Sequence, residues 1–171
     1  MTHEEFQAAV NYWKEKDAKS VKMERSKLAE AVEAYIRSKN TGALATGAGD
    51  FVRCTPLEYS YHDGFFWIFS EGGEKFIALE KNSNVCLAIF DGYGAPGGLH
   101  GMQVMGRAEM VEPFSEEYMS HAAYRKVSTA FLEKQKPPMN LIRIKPTRID
   151  YLCSEFKKEG CSSRQTLVLE E

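Results

Sequence analysis

Apolar residues recur every third or fourth position at the start of the chain, and mostly every second position after residue 40. That change of period predicts helices followed by strands. Thr2 and Glu5 fit a capping box, in which side chain and backbone satisfy each other at a helix start. Phe6, Val10 and Trp13 follow at helical spacing. A second helix is expected over about 26–38, with Leu28, Val32, Tyr35 and Ile36 on one face. Neither helix carries a reactive cluster, so both are expected to pack on the body of the protein or on a partner subunit. Gly42 is expected to end the second helix in a left-handed conformation.

Beyond Gly42 the signal is β. A short strand is expected over 43–46, broken by Gly47-Ala48-Gly49-Asp50, and a second over 51–61. Pro56 in that second strand suggests an edge, a bulge or a ligand-facing segment. His62-Asp63-Gly64 reads as a hairpin turn, because Asp-Gly tolerates positive φ. The pattern then predicts a strand over 65–69, a short helix over 74–81, a strand over 85–90 and a glycine-rich loop over 91–98. A long strand follows over 102–112, stopped by Pro113. Ser115 is expected to cap one helix over 116–134, ended by Pro137-Pro138. Two last strands are expected over 141–145 and 148–153, separated by Pro146. Six or seven mostly antiparallel strands with flanking helices make a mainly β, α+β fold, better suited to a small barrel than to a parallel sheet. Without repeats or a linker, residues 1–171 read as one domain: a helical extension (1–39), the barrel (40–153) and a tail (154–171).

Composition narrows the function. Of 171 residues 43% are hydrophobic and 27% charged, which is ordinary globular usage and excludes a disordered tail protein. The net charge of −2 offers no basic excess for a phosphate backbone, so nucleic acid is not an expected partner. The apolar runs 65–69 and 85–90 are far shorter than a membrane span, and no membrane partner is expected. No basic-then-apolar leader opens the chain, and a cytoplasmic location is expected. Cys54, Cys86, Cys153 and Cys161 show no zinc-site spacing. Cys54 and Cys86 lie in apolar strand patterns and are expected as small buried hydrophobes; nothing assigns a role to Cys153 or Cys161. The four histidines are scattered, and no metal is expected. His62 reads as a turn residue, while His100 follows the glycine-rich loop and is the one candidate for a haem or substrate contact.

Three segments carry candidate chemistry. In Ser70-Glu71-Gly72-Gly73-Glu74-Lys75 the glycines let backbone approach a ligand, the following helix turn offers free N–H groups, and Ser70 and Lys75 add a hydroxyl and a charge. That set suits a phosphate, although it is not a Walker-type loop. Arg53-Cys54-Thr55-Pro56 places an arginine beside a proline that weakens ladder pairing, so Arg53 could pair with the same phosphate. Gln103 carries a donor and an acceptor, which suits the edge of a heterocycle. Each segment also has a plain structural reading, as a solvated turn, an edge strand and an outward polar residue. No nucleophile elbow, dinucleotide fingerprint or acid pair is present, and no catalytic residue is singled out.

The order of these pieces resembles the pyridoxamine 5′-phosphate oxidase-like family of FMN-binding split β-barrels. The matching runs are Gly42-Ala-Leu-Ala-Thr46, Arg53-x-x-Pro56-x-x-Tyr59, Tyr61-His-Asp-Gly64, Phe69-Ser-Glu-Gly-Gly-Glu-Lys75 and Leu79-x-x-Asn82-x-x-Val85. Val104-Met-Gly-Arg-Ala108 is similar to the family's long strand, and Arg148-Ile-Asp-Tyr151 to its closing strand. The resemblance implies a homodimer with FMN at the subunit interface. It implies that Lys75, Ser70 and Arg53 hold the phosphate, that the backbone around Cys54, Thr55 and Pro56 lies along the isoalloxazine, and that Gln103 reaches toward the ring. It implies an oxidoreductase acting on a small molecule, with NADH or NADPH as a candidate donor. The alternatives are a flavin-binding carrier or redox sensor without turnover, and a haem- or deazaflavin-binding relative on the same barrel. The chain ends Ser162-Ser-Arg-Gln-Thr-Leu-Val-Leu-Glu-Glu171, without the arginine-rich, tryptophan-bearing strand of true pyridoxamine 5′-phosphate oxidases, so that substrate is not carried over.

Overall fold

The computed structural model describes residues 1–92 and 98–169; most of the expected loop over 91–98 lies outside them. Helices α1 (His3–Ala18) and α2 (Arg25–Arg37) precede β1 (Thr41–Ala48), β2 (Phe51–Glu58), β3 (Ser60–His62) and β4 (Phe65–Ser70). Helix α3 (Lys75–Leu79), β5 (Asn84–Phe90) and β6 (His100–Val111) follow, then α4 (Glu116–Tyr124) and α5 (Thr129–Lys134). The chain closes with β7 (Asn140–Cys153), a 3₁₀ turn (Ser154–Glu159) and β8 (Arg164–Val168). The strands pair antiparallel in the order β2-β1-β5-β6-β7-β4-β3, with β8 added on β7. This curled sheet is a mixed α+β split barrel with flanking helices, as the pattern of strands and helices predicted.

The curl has a local cause. Strand β7 pairs β6 along its whole length, but β4 only from Asn140 to Ile144 and β8 only from Arg148 to Leu152. Its partner changes at Pro146, which has no N–H to donate. Gly106 lies opposite Pro146, and Met105 lies opposite Arg148, so Thr147 is an extra residue in a bulge. Bulges bend and twist a strand. Only glycine fits here: a Cβ on Gly106 would lie 2.6 Å from the Lys145 carbonyl oxygen. The expectation of two strands split at Pro146 is thereby corrected to one bent strand.

The main core lies inside the curl. Leu44, Phe66, Ile68, Leu87, Ile89, Val104, Ile142 and Ile144 are buried there beneath the α2 face of Leu28, Val32, Tyr35 and Ile36. The Tyr59 hydroxyl donates to the Ile36 carbonyl at 2.9 Å and fixes α2 to the β2–β3 junction. A second cluster, with Trp67, Tyr118, Ala122, Leu132 and Leu141, lies under α4 and α5. Phe66, Trp67 and Ile68 are therefore all buried in sequence, because both faces of β4 are covered.

Several expectations change. Gly42 lies inside β1 rather than ending α2, and a Cβ there would stand 2.8 Å from the Ala88 carbonyl oxygen, so close strand packing explains it. The expected helix over 116–134 is two helices. Lys126 adopts φ 56°, with Val127 N–H donating to Ala122 at 2.9 Å and Lys126 N–H to Ala123 at 2.9 Å. That is a Schellman stop built on lysine instead of glycine. The strand expected over 51–61 divides at Tyr59. The expected tail supplies β8, held where the buried Gln165 side chain accepts from Met23 N–H at 3.0 Å and donates to Val21 and Ser162 carbonyls. Helix α1 has its capping box but buries no residue. Cys54 and Cys86 are corrected too: Cys54 is exposed and Cys86 half-buried, on either side of Ala45 on the outer sheet face. Two strand spacings, roughly 10 Å, hold them too far apart to bridge.

Helix α4 is docked through imidazoles. His62 Nδ1 is 2.8 Å from the Asp63 carboxylate, so it donates there and leaves Nε2 to accept. His121 Nδ1, 2.9 Å away, is then the donor. Both rings stack on Trp67. Burial first, then the neighbouring His62 and Arg125, hold the His121 pKa down at about 4 against an ordinary 6.5. The folded state therefore binds fewer protons than the unfolded state between these values, and its stability is complete above 6.5 and falls below it. Urea unfolding should show stability dropping by up to about 1.4 kcal/mol per pH unit across that window, and His121→Gln should flatten the slope; an unchanged slope would place the titration elsewhere.

Candidate functional site

The bend between β4 and α3 demands glycine: Gly72 has φ 152° and Gly73 φ 112°, values that other residues rarely adopt. The Ser70 hydroxyl braces the bend, accepting from Gly72 N–H at 3.2 Å and lying 3.1 Å from the Gly72 carbonyl. Asn140 Nδ2 ties the Ser70 carbonyl to β7 at 3.2 Å. Lys75 turns back over this bend, and its Nζ donates to the Gly72 carbonyl.

Lys75 is the unusual member. It is 6% exposed, and among the described residues no carboxylate forms a salt bridge with it. Burial, followed by the positive charge of Arg53, lowers its pKa. A cation in that setting costs free energy that one carbonyl does not offset. Arg53 comes from β2, on whose inner face α3 packs, and pairs with Glu74. Opposite Arg53 in the β1–β2 ladder stands Thr46, buried, with an Oγ1 that has no partner among the described residues. A buried ammonium, a guanidinium on an exposed carboxylate and two hydroxyls make a donor set for a phosphate dianion. Helix α3 adds little, since it has five residues and its first residue follows the acidic Glu74.

The predicted residues divide into two groups. Arg53, Ser70 and Lys75 come together. Alternation along β2 puts Arg53 and Thr55 on the α3 face and Cys54 and Pro56 on the outer face. Strand β2 ends the sheet order, so the backbone between these faces has a free edge. Gln103 is separate. It shares the outer-face row Pro56–Ala43–Ala88–Gln103–Asp150, three strands from Pro56. There it lines a cleft of about 220 Å³ with Phe90, Met102, Asp150, Tyr151 and Arg164. Arg164 belongs to no motif of the sequence and reaches this cleft because the expected tail over 154–171 pairs with β7 as β8.

His100 lies on the wall of a neighbouring cavity, with its Nε2 3.1 Å from the buried Cys153 Sγ. Among the described residues no three His, Cys, Asp or Glu side chains are grouped to hold a metal ion. Nor is any helix among them long and apolar enough to cross a membrane.

Residues 28–153 match the family model described as pyridoxamine 5′-phosphate oxidase, which is more than half of the chain. No curated protein matches. Among solved structures, a FAD-binding protein from Mesorhizobium loti is similar at 23% identity, covering 71% of this chain and 89% of its own, with a TM-score of 0.56. General stress protein 26 from Bacillus anthracis is 20% identical over 83% of this chain and 98% of its own, with a TM-score of 0.57. The haem storage protein HutZ from Vibrio cholerae is 16% identical over 68% and 88%, with a TM-score of 0.56. At these identities the likeness is one of fold.

If Lys75 is kept for an anion, the ligand-free protein should gain from losing it. Lys75→Met keeps the aliphatic length and removes the desolvated charge, so thermal unfolding without ligand should shift upward by the equivalent of about 1 kcal/mol or more. A downward shift would mean that Lys75 is a stabilising part of the fold.

Proposed function

Because the chain belongs to the pyridoxamine 5′-phosphate oxidase family through residues 28–153, we propose that it is a flavoprotein that binds FMN and serves as an oxidoreductase on a small molecule. The observation that carries this reading is the buried Lys75 ammonium, set over the Ser70–Gly73 bend without a carboxylate partner among the described residues. Lys75, the Ser70 hydroxyl and Arg53 hold the phosphate, with Arg53 exchanging Glu74 for it. The fit is chemical: the buried Lys75 charge favours an anion over water, and the unpartnered Thr46 hydroxyl stands opposite Arg53 as a further donor.

A bound flavin supplies hydride or electron transfer, which accounts for a site without an acid–base pair. The protein's own part is to bind, orient and exclude water. The free edge at Cys54, Thr55 and Pro56 offers backbone groups to the ring, and Gln103 offers an amide that both donates and accepts. Gln103 stands apart from Lys75 within one protomer, so the proposal includes a homodimer joined through the outer sheet face. That face is lined by small or apolar side chains, Ala43, Ala45, Cys54, Ala88 and Phe90, which suits close packing of a second copy. The haem reading has less support, because Cys153 already engages His100 Nε2.

The purified protein should absorb in the near-ultraviolet and blue as flavins do, or acquire that spectrum with added FMN. Lys75→Ala should weaken FMN by roughly 10- to 100-fold, the loss of one charge-assisted contact, and riboflavin far less. A colourless protein that ignores added FMN overturns the reading, and equal weakening of both ligands removes Lys75 from phosphate binding. Bleaching by NADH or NADPH distinguishes an enzyme from a carrier.

A further inference from the structure

A second cluster of cations lies away from Lys75. The last turn of α1 and the segment before β8 enclose a cavity of about 330 Å³ lined by Trp13, Lys16, Lys19, Ser20, Ser163 and Arg164, with Asp17 and Ser162 completing it. Its floor is fixed by backbone pairing: Ser162 N–H donates to the Val21 carbonyl at 2.9 Å and Val21 N–H to the Ser162 hydroxyl at 3.0 Å. Gln165 adds its bonds to Val21 and Met23. Segment 20–24 and segment 162–165 therefore hold each other, while α1 projects from them with no residue buried.

Charge inside the cavity is lopsided. Lys16, Lys19 and Arg164 have no carboxylate partner among the salt bridges of the described residues. Asp17 is the one acid on the wall, and it is taken by Lys22 Nζ at 2.6 Å, which lowers its pKa. Two carbonyls of the last α1 turn are also occupied, since Lys19 N–H donates to Lys16 and Ser20 N–H to Asp17. Arg164 lies over Trp13, its guanidinium carbon 4.5 Å from the ring centroid, with Lys16 Nζ 5.2 Å from the same centroid. The Arg164 Nε is buried and has no acceptor among the described residues.

We propose that this cavity is a second anion site, taking a compact phosphate group such as a diphosphate or phosphate ester. A guanidinium with an unmet N–H, two exposed ammonium groups and serine hydroxyls present several positive charges and donors to one small space, which favours a phosphate, with two charges and three terminal oxygens on one centre, over a singly charged carboxylate. The bound anion bridges α1 to the 162–164 segment and clamps a helix that the hydrophobic core does not hold. The site is separate from the Lys75 cradle and shares one residue with the Gln103 cleft, Arg164, which lines both.

Calorimetric titration of the full chain with inorganic pyrophosphate tests it. Saturable binding should persist in Lys75→Met, which removes the other phosphate cradle, and should weaken by about tenfold or more in Lys16→Gln/Lys19→Gln and in Arg164→Gln. Both lysines are exposed, so that double variant keeps its fold. No saturable binding to any of these proteins overturns the proposal. So does binding lost in Lys75→Met yet unchanged in the α1 variant, or citrate binding as tightly as pyrophosphate.

Discussion

The ladder between β6 and β7 is the constraint on which the rest depends. Its one extra residue, Thr147, and the facing pair Gly106 and Pro146 bend a fourteen-residue strand into two halves with different neighbours. The first half closes the barrel against β4, and the second carries β8 beside the outer-face cleft. A straight β7 would leave the sheet open, and α2 would have no concave floor to cover.

From that bend follows a division of labour between two surfaces. Inward residues of β1, β4, β5, β6 and β7 fill the core. Outward residues on β1 and β5 and on the first half of β6 are mostly small or polar and are left to meet something else. The edge strand β2 stands between them, with Arg53 on the side of α3 and Cys54 on the other. The bend around Lys75 thus lies at the margin of the sheet, where the ligand we propose would meet both a buried cation and an exposed backbone. Pro56 fits that location, since an edge strand tolerates a residue without an N–H.

Much of this was legible in the chain because local rules and tertiary demands agree. Thr2–Glu5 caps α1, Ser115 accepts from Tyr118 N–H at 3.2 Å, and Asp63-Gly64 makes the turn with φ 53° and 79°. The α2 face Leu28–Val32–Tyr35–Ile36 is the one that is buried. Misses occurred where a residue plays an untypical part. Lys126 takes a left-handed role usually given to glycine, and Pro146 sits within a strand that a bulge permits. His62 reads as a turn residue, but it also stacks on Trp67 and pairs with His121, 59 residues further along the chain. Of the candidate site, the Ser70–Lys75 bend with Arg53 could be read from sequence as a phosphate-binding set. The burial of Lys75 could not, because it depends on α3 folding back over β1 and β2.

An ammonium withheld from water without a carboxylate also has a consequence for the life of the protein in a cell. Any anion that settles on Lys75 binds the folded chain and not the unfolded one, so it raises the ratio of folded to unfolded chain by a factor that grows with its free concentration. Proteases that sample the opened chain would then remove unloaded copies first. Steady-state abundance would follow the supply of that anion, with no change in synthesis.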